Sequence, residues 1–380
     1  MQWTSFTRSY RRIRSSPSAA SGASRSPPLR RAGKLRRPRR VAEIREASVA
    51  AMNIYIDESG TFSGIGRSLR PSVVGGLVVP DSVQSDLFAA YASIRDGLTM
   101  DHGEVKGRQL SERQVALVIN TLRQFPVIFE VTAIDLGLHT PEGIEFHRND
   151  QAEVFKRNME TAIHQSMRDD LFKLGRELEK FPLQLYVQSV ANFDLIHRMF
   201  SHAILYFAQR IPEELRAFNW VIDAKDRANP ITSWERWWST VIPAMIQSKS
   251  EHDPWVMLKG ADYSYFQHFE TGCPEWAFPG VGPPQDPKPI NVKKLLSENF
   301  RFSDEAEPGL ELVDVLTNAL RRALTGNLRE EGWDKLPCLM VHRPQHYFEL
   351  ISLQYIASRR LPYDRVASAF QRGGRSMIYA

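Results

Sequence analysis

Two hydrophobic periods alternate along the chain. Asn53-Ile54-Tyr55-Ile56 is a short β-favouring run that stops at Asp57-Glu58-Ser59-Gly60, the pattern of a buried strand ending on a turn with an acid at its tip. Ser72 to Val79, which contains Gly75-Gly76 and closes at Pro80, predicts a second strand, and Val127 to Leu136 predicts a third ending near Asp135. Phe218 to Asp223 repeats the opening design, an apolar run finishing in an acid. Helical periodicity covers residues 81–98, then 111–124 behind Ser111 as a cap, then 151–180, 191–209 and 232–247. Residues 271–289, with six prolines, read as an irregular loop, and Lys294 to Phe302 as a short strand. Pro308, preceded by Asp304, Glu305 and Glu307, opens a helix to about Leu324, because proline suits the first turn and acids suit the positive end of a helix. Pro337 to Ala380 reads as a small mixed extension. The order of elements predicts an α/β fold, a mixed sheet flanked by helices. Chemistry is then expected beyond the carboxyl ends of the strands.

Composition changes the picture mainly through charge. The net +5 of the 380 residues divides unevenly: residues 1–51 hold 13 Lys+Arg against two acids, a net of +11, which leaves −6 for the remainder. The Arg/Ser/Pro-rich segment 1–51 cannot bury enough apolar surface to offset its chain entropy, so disorder is expected there. It fits a basic arm that contacts phosphates, a transit peptide, or an upstream translation foreign to the native protein, since Met52 stands immediately before the first strand. The folded part is expected to begin at Met52, continue to about residue 330, and carry 331–380 as an extension.

Two cysteines, Cys273 and Cys338, support neither a disulfide framework nor a zinc site, and a reducing, cytoplasmic setting is the expectation. No apolar run approaches the ~20 residues of a membrane span.

The candidate chemistry is carboxylate chemistry. Alternation along a strand puts Tyr55, Asp57 and Ser59 on one face and Glu58 on the other, so Asp57 is preferred over Glu58 as a site residue. Asp223 occupies the same relative place on its own strand. Were those strands neighbours, two carboxylates about 4 Å apart would repel by ~4 kcal/mol even at an effective dielectric near 20. A shared proton or a bound cation relieves such a pair. All-oxygen ligands favour Mg²⁺ or Mn²⁺. Glu311 and Asp314, spaced i, i+3 on the predicted helix, add oxygens on one side of it. A solvated face running through Glu307, Glu311, Asp314, Asn318 and Arg321 is the competing reading. Trp234, Trp237 and Trp238 read as a packing stripe, Ser59 as a turn residue bonding its own backbone, and Gly60 as the residue that permits the bend.

These segments resemble the proteins of domain of unknown function 3800, which are related to the ribonuclease H-like fold. The resemblance lies in Tyr55-Ile56-Asp57-Glu58-Ser59-Gly60, in Val105-Lys106-Gly107, in the strand ending at Asp223, and in Gly309-Leu310-Glu311-Leu312-Val313-Asp314-Val315-Leu316. It implies a ribonuclease H-like site built from Asp57, Asp223 and Asp314 with Lys106 nearby, and a helical insertion over about 145–210. Glu311 stands where the family often has Gln, and Asp226 is a further acid that the motif does not fix. The implied activity is metal-dependent phosphodiester hydrolysis of RNA or DNA. Two divalent ions about 3.5–4 Å apart would activate water and stabilise the leaving oxygen. Asp57 would then bridge both ions, and Glu311 and Glu58 would be additional candidate ligands. Two other readings stay open: a non-catalytic nucleic-acid or protein-binding module of an intracellular defence or mobile-element system, and an aspartyl-nucleophile phosphatase, in which Ser59 would replace the second acid of that motif.

Overall fold

A computed structural model of the chain describes residues 50–379, apart from 68–69, 162–164, 225–232, 253–254, 271–289, 345–346 and 358. The basic segment 1–49, the proline-rich loop with Cys273, and Asp226 lie outside the described residues. The chain divides into two units between Ala47 and Ser48, and the second unit carries every element below.

Strands Met52–Ser59 (β1) and Pro71–Pro80 (β2) lead into helix Asp81–Arg95 (α1). A small hairpin of Met100–Asp101 (β3) and Glu104–Val105 (β4) precedes helix Glu112–Leu122 (α2) and strand Ile128–Asp135 (β5). Helices Pro141–Thr161 (α3), Gln165–Glu179 (α4) and Leu183–Phe207 (α5) follow, then strand Phe218–Asp223 (β6) and helix Ser233–His252 (α6). Helix Val292–Ser297 (α7), strand Asn299–Ser303 (β7) and helix Pro308–Leu324 (α8) come next. The chain closes with helix Glu330–Trp333 (α9), strand Glu349–Ile351 (β8) and helix Asp364–Ala369 (α10). The expected α/β class and mixed sheet are therefore present: six strands in the order β7-β6-β1-β2-β5-β8. β1 pairs antiparallel with β2 and parallel with β6, and Ile56 lies opposite Ile222.

Three expectations need correction. The single helix predicted over 151–180 is a pair, α3 and α4, packed on one another, with a Cβ at Gly175 lying 3.3 Å from the Ala152 carbonyl. Each amphipathic face is buried against the other, an arrangement that local periodicity does not distinguish from one long helix. The strand expected over 294–302 begins as helix α7, capped by Asn291, and only Asn299–Ser303 is strand. The C-terminal segment is no appendage, since β8 pairs parallel with β5 and completes the sheet.

Side-chain alternation splits the core into two layers. Met52, Ile54, Ile56, Val74 and Val78 face α5 and α6, while Tyr55, Val73, Leu77, Val79 and Val221 face α1, α2 and α8. Trp234 and Trp238 are buried in the first layer, and Trp238 stacks on Phe300 at 4.6 Å, as the packing-stripe reading expected; the Trp237 side chain is outside the described residues. Gly75 and Gly76 serve both layers at once: a side chain at Gly75 would strike Thr317 of α8, and one at Gly76 would strike Met199 of α5. No helix among the described residues is long and apolar enough to cross a membrane.

α8 also receives the segment after the small hairpin at very close range. A Cβ on Gly107 would stand 2.7 Å from Val315 Cα and 2.9 Å from the Asp314 carbonyl oxygen, both backbone atoms that cannot rotate away. Gly107→Ala is therefore expected to destabilise the protein by about 1–3 kcal/mol through overpacking. Equilibrium urea unfolding measures this as a lowered midpoint at unchanged slope.

Candidate active site

β1 and β6 run parallel, and Asp57 and Asp223 stand one residue beyond their last paired positions, Ile56 and Ile222. Tyr55 and Val221, two residues earlier on each strand, both face the α8 layer, so strand alternation directs Asp57 and Asp223 to that same layer. The supposition that these strands are neighbours is thus met in the fold.

Helix α8 crosses this face. Gly309 lets its first turn rest on the Tyr55 ring, where any side chain would clash, and further along the helix Asp314 meets Asp57 at the end of β1. The carboxyls of Asp314 and Asp57 are hydrogen-bonded to each other. Asp314 Oδ2 also accepts from the Gly107 amide at 2.7 Å and Oδ1 from the Asn318 carboxamide at 2.6 Å. Ser59 donates its hydroxyl proton to Asn318 Oδ1 at 2.8 Å. This corrects the expectation that Ser59 serves its own turn: strand alternation aims it at α8, where a buried acceptor waits. Gly60 takes φ +113°, and a side chain there would stand 2.6 Å from Ser72 Oγ, so the bend requires glycine as expected.

Lys106 approaches from the hairpin. Its ammonium lies 2.6 Å from Glu104, and its charge also acts on Asp314 and Asp223. Burial lowers the Lys106 pKa, but the Glu104 hydrogen bond and the charges of Glu104, Asp314 and Asp223 more than offset it, leaving the net shift upward. Asp57, Asp223, Asp314 and Lys106 therefore belong to one neighbourhood at the carboxyl end of β1 and β6. Glu104 belongs to it too and was missed by sequence reasoning. The available signal was its place two residues before Lys106 on a β4 that is only two residues long, too short for any periodicity.

Glu58 and Glu311 are corrected as metal candidates. Glu58 faces the opposite layer, where the carboxamides of Gln188 and Asn192 on α5 donate to its carboxylate. Glu311 is consumed by structure: Arg95 clamps it with bonds of 2.8 and 2.6 Å, and the Tyr91 hydroxyl and Val105 amide donate to it at 2.9 and 3.0 Å. Burial would raise the Glu311 pKa, yet these donors hold it below the ordinary value. The solvated-face reading of α8 fails as well, since Glu311 and Asn318 are buried.

Asp314 behaves in the opposite way. Burial raises its pKa, and the Gly107 amide, the Asp57 contact and Lys106 oppose that shift without cancelling it, so the net direction is upward. A buried carboxyl held proton-rich beside a second carboxyl is relieved by a cation. Among the described residues, no three His, Cys, Asp or Glu side chains stand close enough together to enclose a metal ion. The oxygen-only pair does suit Mg²⁺, which is commonly held by one or two carboxylates together with water and substrate phosphates.

No family model matches the chain, and no curated protein or solved structure matches it.

Two outcomes follow from this geometry. The folded state keeps the Asp314 proton above the ordinary value of 3.8, at which the unfolded chain releases it. Just above that pH the folded state binds more protons than the unfolded state, so stability in EDTA falls as pH rises. Asp314→Asn, which keeps an acceptor for the Gly107 amide, is expected to flatten this fall, as checked by urea unfolding across mildly acidic to neutral pH. Glu311→Gln leaves Arg95 without its counter-charge. Its expected cost is at the lower end of the ~3–5 kcal/mol for breaking a buried pair, because the Arg95 side chain is 26% exposed. The same unfolding assay measures that loss.

Proposed function

We propose that this protein is a metal-dependent phosphodiesterase acting on nucleic acid, with Asp57 and Asp314 as the core of its site. The observation that carries the reading is the pair of carboxyls in direct contact beneath α8, with the Lys106 ammonium and two further acids, Asp223 and Glu104, in the same electrostatic neighbourhood. A resemblance to the ribonuclease H-like proteins of domain of unknown function 3800 at these positions points to the same activity.

On this reading Asp57 and Asp314 hold Mg²⁺ or Mn²⁺, and Asp223 and Glu104 are the side chains available for a second ion. Bound divalent ions supply activation of water and stabilisation of the leaving oxygen. The chain itself supplies the rest. The Gly107 amide and Asn318 carboxamide orient Asp314, so its carboxylate needs little reorganisation when it loses its proton. Ser59 fixes Asn318 and ties the strand end to α8. Lys106, held by Glu104, places positive charge beside the phosphate that enters the site.

A second reading is favoured by the absence of any three-acid group among the described residues. In it, Asp57 and Asp314 share a proton permanently and lock α8 to the sheet of a non-catalytic binding module.

Mn²⁺ titration followed by thermal unfolding separates the two. A site that binds the ion only when folded stabilises the protein by about 2.7 kcal/mol at 100 times Kd. The wild type is expected to show this gain, and Asp57→Asn to lose it. Cleavage of labelled RNA, DNA and hybrid substrates in Mn²⁺ is expected to drop about 100-fold or more in Asp57→Asn and Asp314→Asn, the scale of removing one preorganised electrostatic group. Absence of both the thermal gain and wild-type cleavage would establish the binding-module reading instead.

A further inference from the structure

Cationic side chains near the site are mostly committed to structure. Arg95 is bound to Glu311, Lys106 to Glu104, and Arg322 to the carbonyls of Gly107 and Leu110. Arg70 and Arg321 differ. The Arg70 backbone amide is bonded to Asp135, but its guanidinium has no hydrogen bond or ion pair among the described residues. Arg321 carries a buried Nε with no partner. Burial and the charge of Arg70 both push the Arg321 guanidinium below its ordinary pKa, and no acid acts against them. The two arginines are therefore electrostatic neighbours.

Their position places them along the edge where the acids lie. Arg70 immediately precedes β2, whose first residues run beside the end of β1, with Val73 opposite Ser59. Arg321 lies on α8 three residues beyond Asn318, on the same side of the helix, and Asn318 is the residue that holds Ser59. Across the strand ends the order is then acids on β6 and β1, the Ser59–Asn318 bond, and arginines at β2 and α8. Guanidinium groups match the oxygens of a phosphate diester in charge and in donor geometry.

We propose that Arg70 and Arg321 together hold a phosphodiester group of a nucleic-acid strand, next to the one presented to Asp57 and Asp314. The assignment of the adjacent group rests on the nuclease reading above; the anion site itself does not. A substrate strand would thus lie across the strand ends from β6 towards β2, and these arginines would fix its register.

The test is binding of a fluorescently labelled single-stranded oligonucleotide to the full chain in EDTA, by anisotropy at several salt concentrations. Arg70→Gln and Arg321→Gln are each expected to weaken binding several-fold and to reduce the slope of log K against log[salt] by up to about 0.7 per lost phosphate contact. Arg365→Gln, whose exposed guanidinium is paired with Glu330, is expected to leave the slope unchanged and controls for diffuse attraction. Arg70 is exposed, so its variant carries the test if Arg321→Gln fails to fold. A slope unaltered in Arg70→Gln, or a wild type that binds no oligonucleotide, overturns the proposal. Loss of slope in the variants without any Mn²⁺-dependent cleavage by the wild type would retain the anion site and discard the nuclease.

Discussion

The arrangement depends on two α8 carboxylates capturing the backbone of a segment remote in sequence. Glu311 accepts from the Val105 amide and Asp314 from the Gly107 amide, while Arg322 on the same helix donates to the Gly107 and Leu110 carbonyls. A two-strand hairpin of two residues per strand cannot hold itself in water. It is ordered here because its amides satisfy buried charges that would otherwise be costly. With Val105 and Gly107 both fixed, the residue between them, Lys106, is delivered to the carboxyl ends of β1 and β6.

That clamp also explains how two nearby acids on α8 come to differ. Glu311 meets a bidentate guanidinium and is stabilised as an anion; Asp314 is held towards its protonated form by burial, which the Gly107 amide, the Asp57 hydrogen bond and the Lys106 charge oppose without cancelling. One turn of helix separates the two, so the difference arises from what each faces and not from local sequence. On the proposed metal-dependent reading, stability and function pull against each other at Asp314, where a structural optimum would remove the charge and a cation-binding site would keep it. Strain of this kind is expected where a site is preorganised.

Much of the frame was legible in the residues. Apolar runs that stop at Asp57 and Asp223 defined two strands, and the Pro308 start of α8 followed from proline and acid preferences. Alternation correctly separated Asp57 from Glu58. Pattern failed where the partner was distant: Ser59 was read as a local turn residue because Asn318 lies 259 residues away. The α3–α4 hairpin passed for one helix, and β8 passed for a tail, because each is stabilised by packing that no window of sequence contains. Glu104 escaped notice for the same reason, its role being set by the clamp on α8.

Sequence alone determined the types of β1, β2, β5, β6 and α8, the two faces of β1 and the presence of acids at two strand tips, because these follow from periodicity and side-chain chemistry within a few residues. Tertiary structure decided which acids meet. It joined Asp57 to Asp314, gave Glu311 to Arg95, turned Glu58 towards α5, and left the Arg321 Nε buried without a partner. The physical reason is that a carboxylate's role depends on the charge, amide or second carboxyl placed within hydrogen-bonding distance, and those neighbours arrive from strands and helices hundreds of residues apart in the chain.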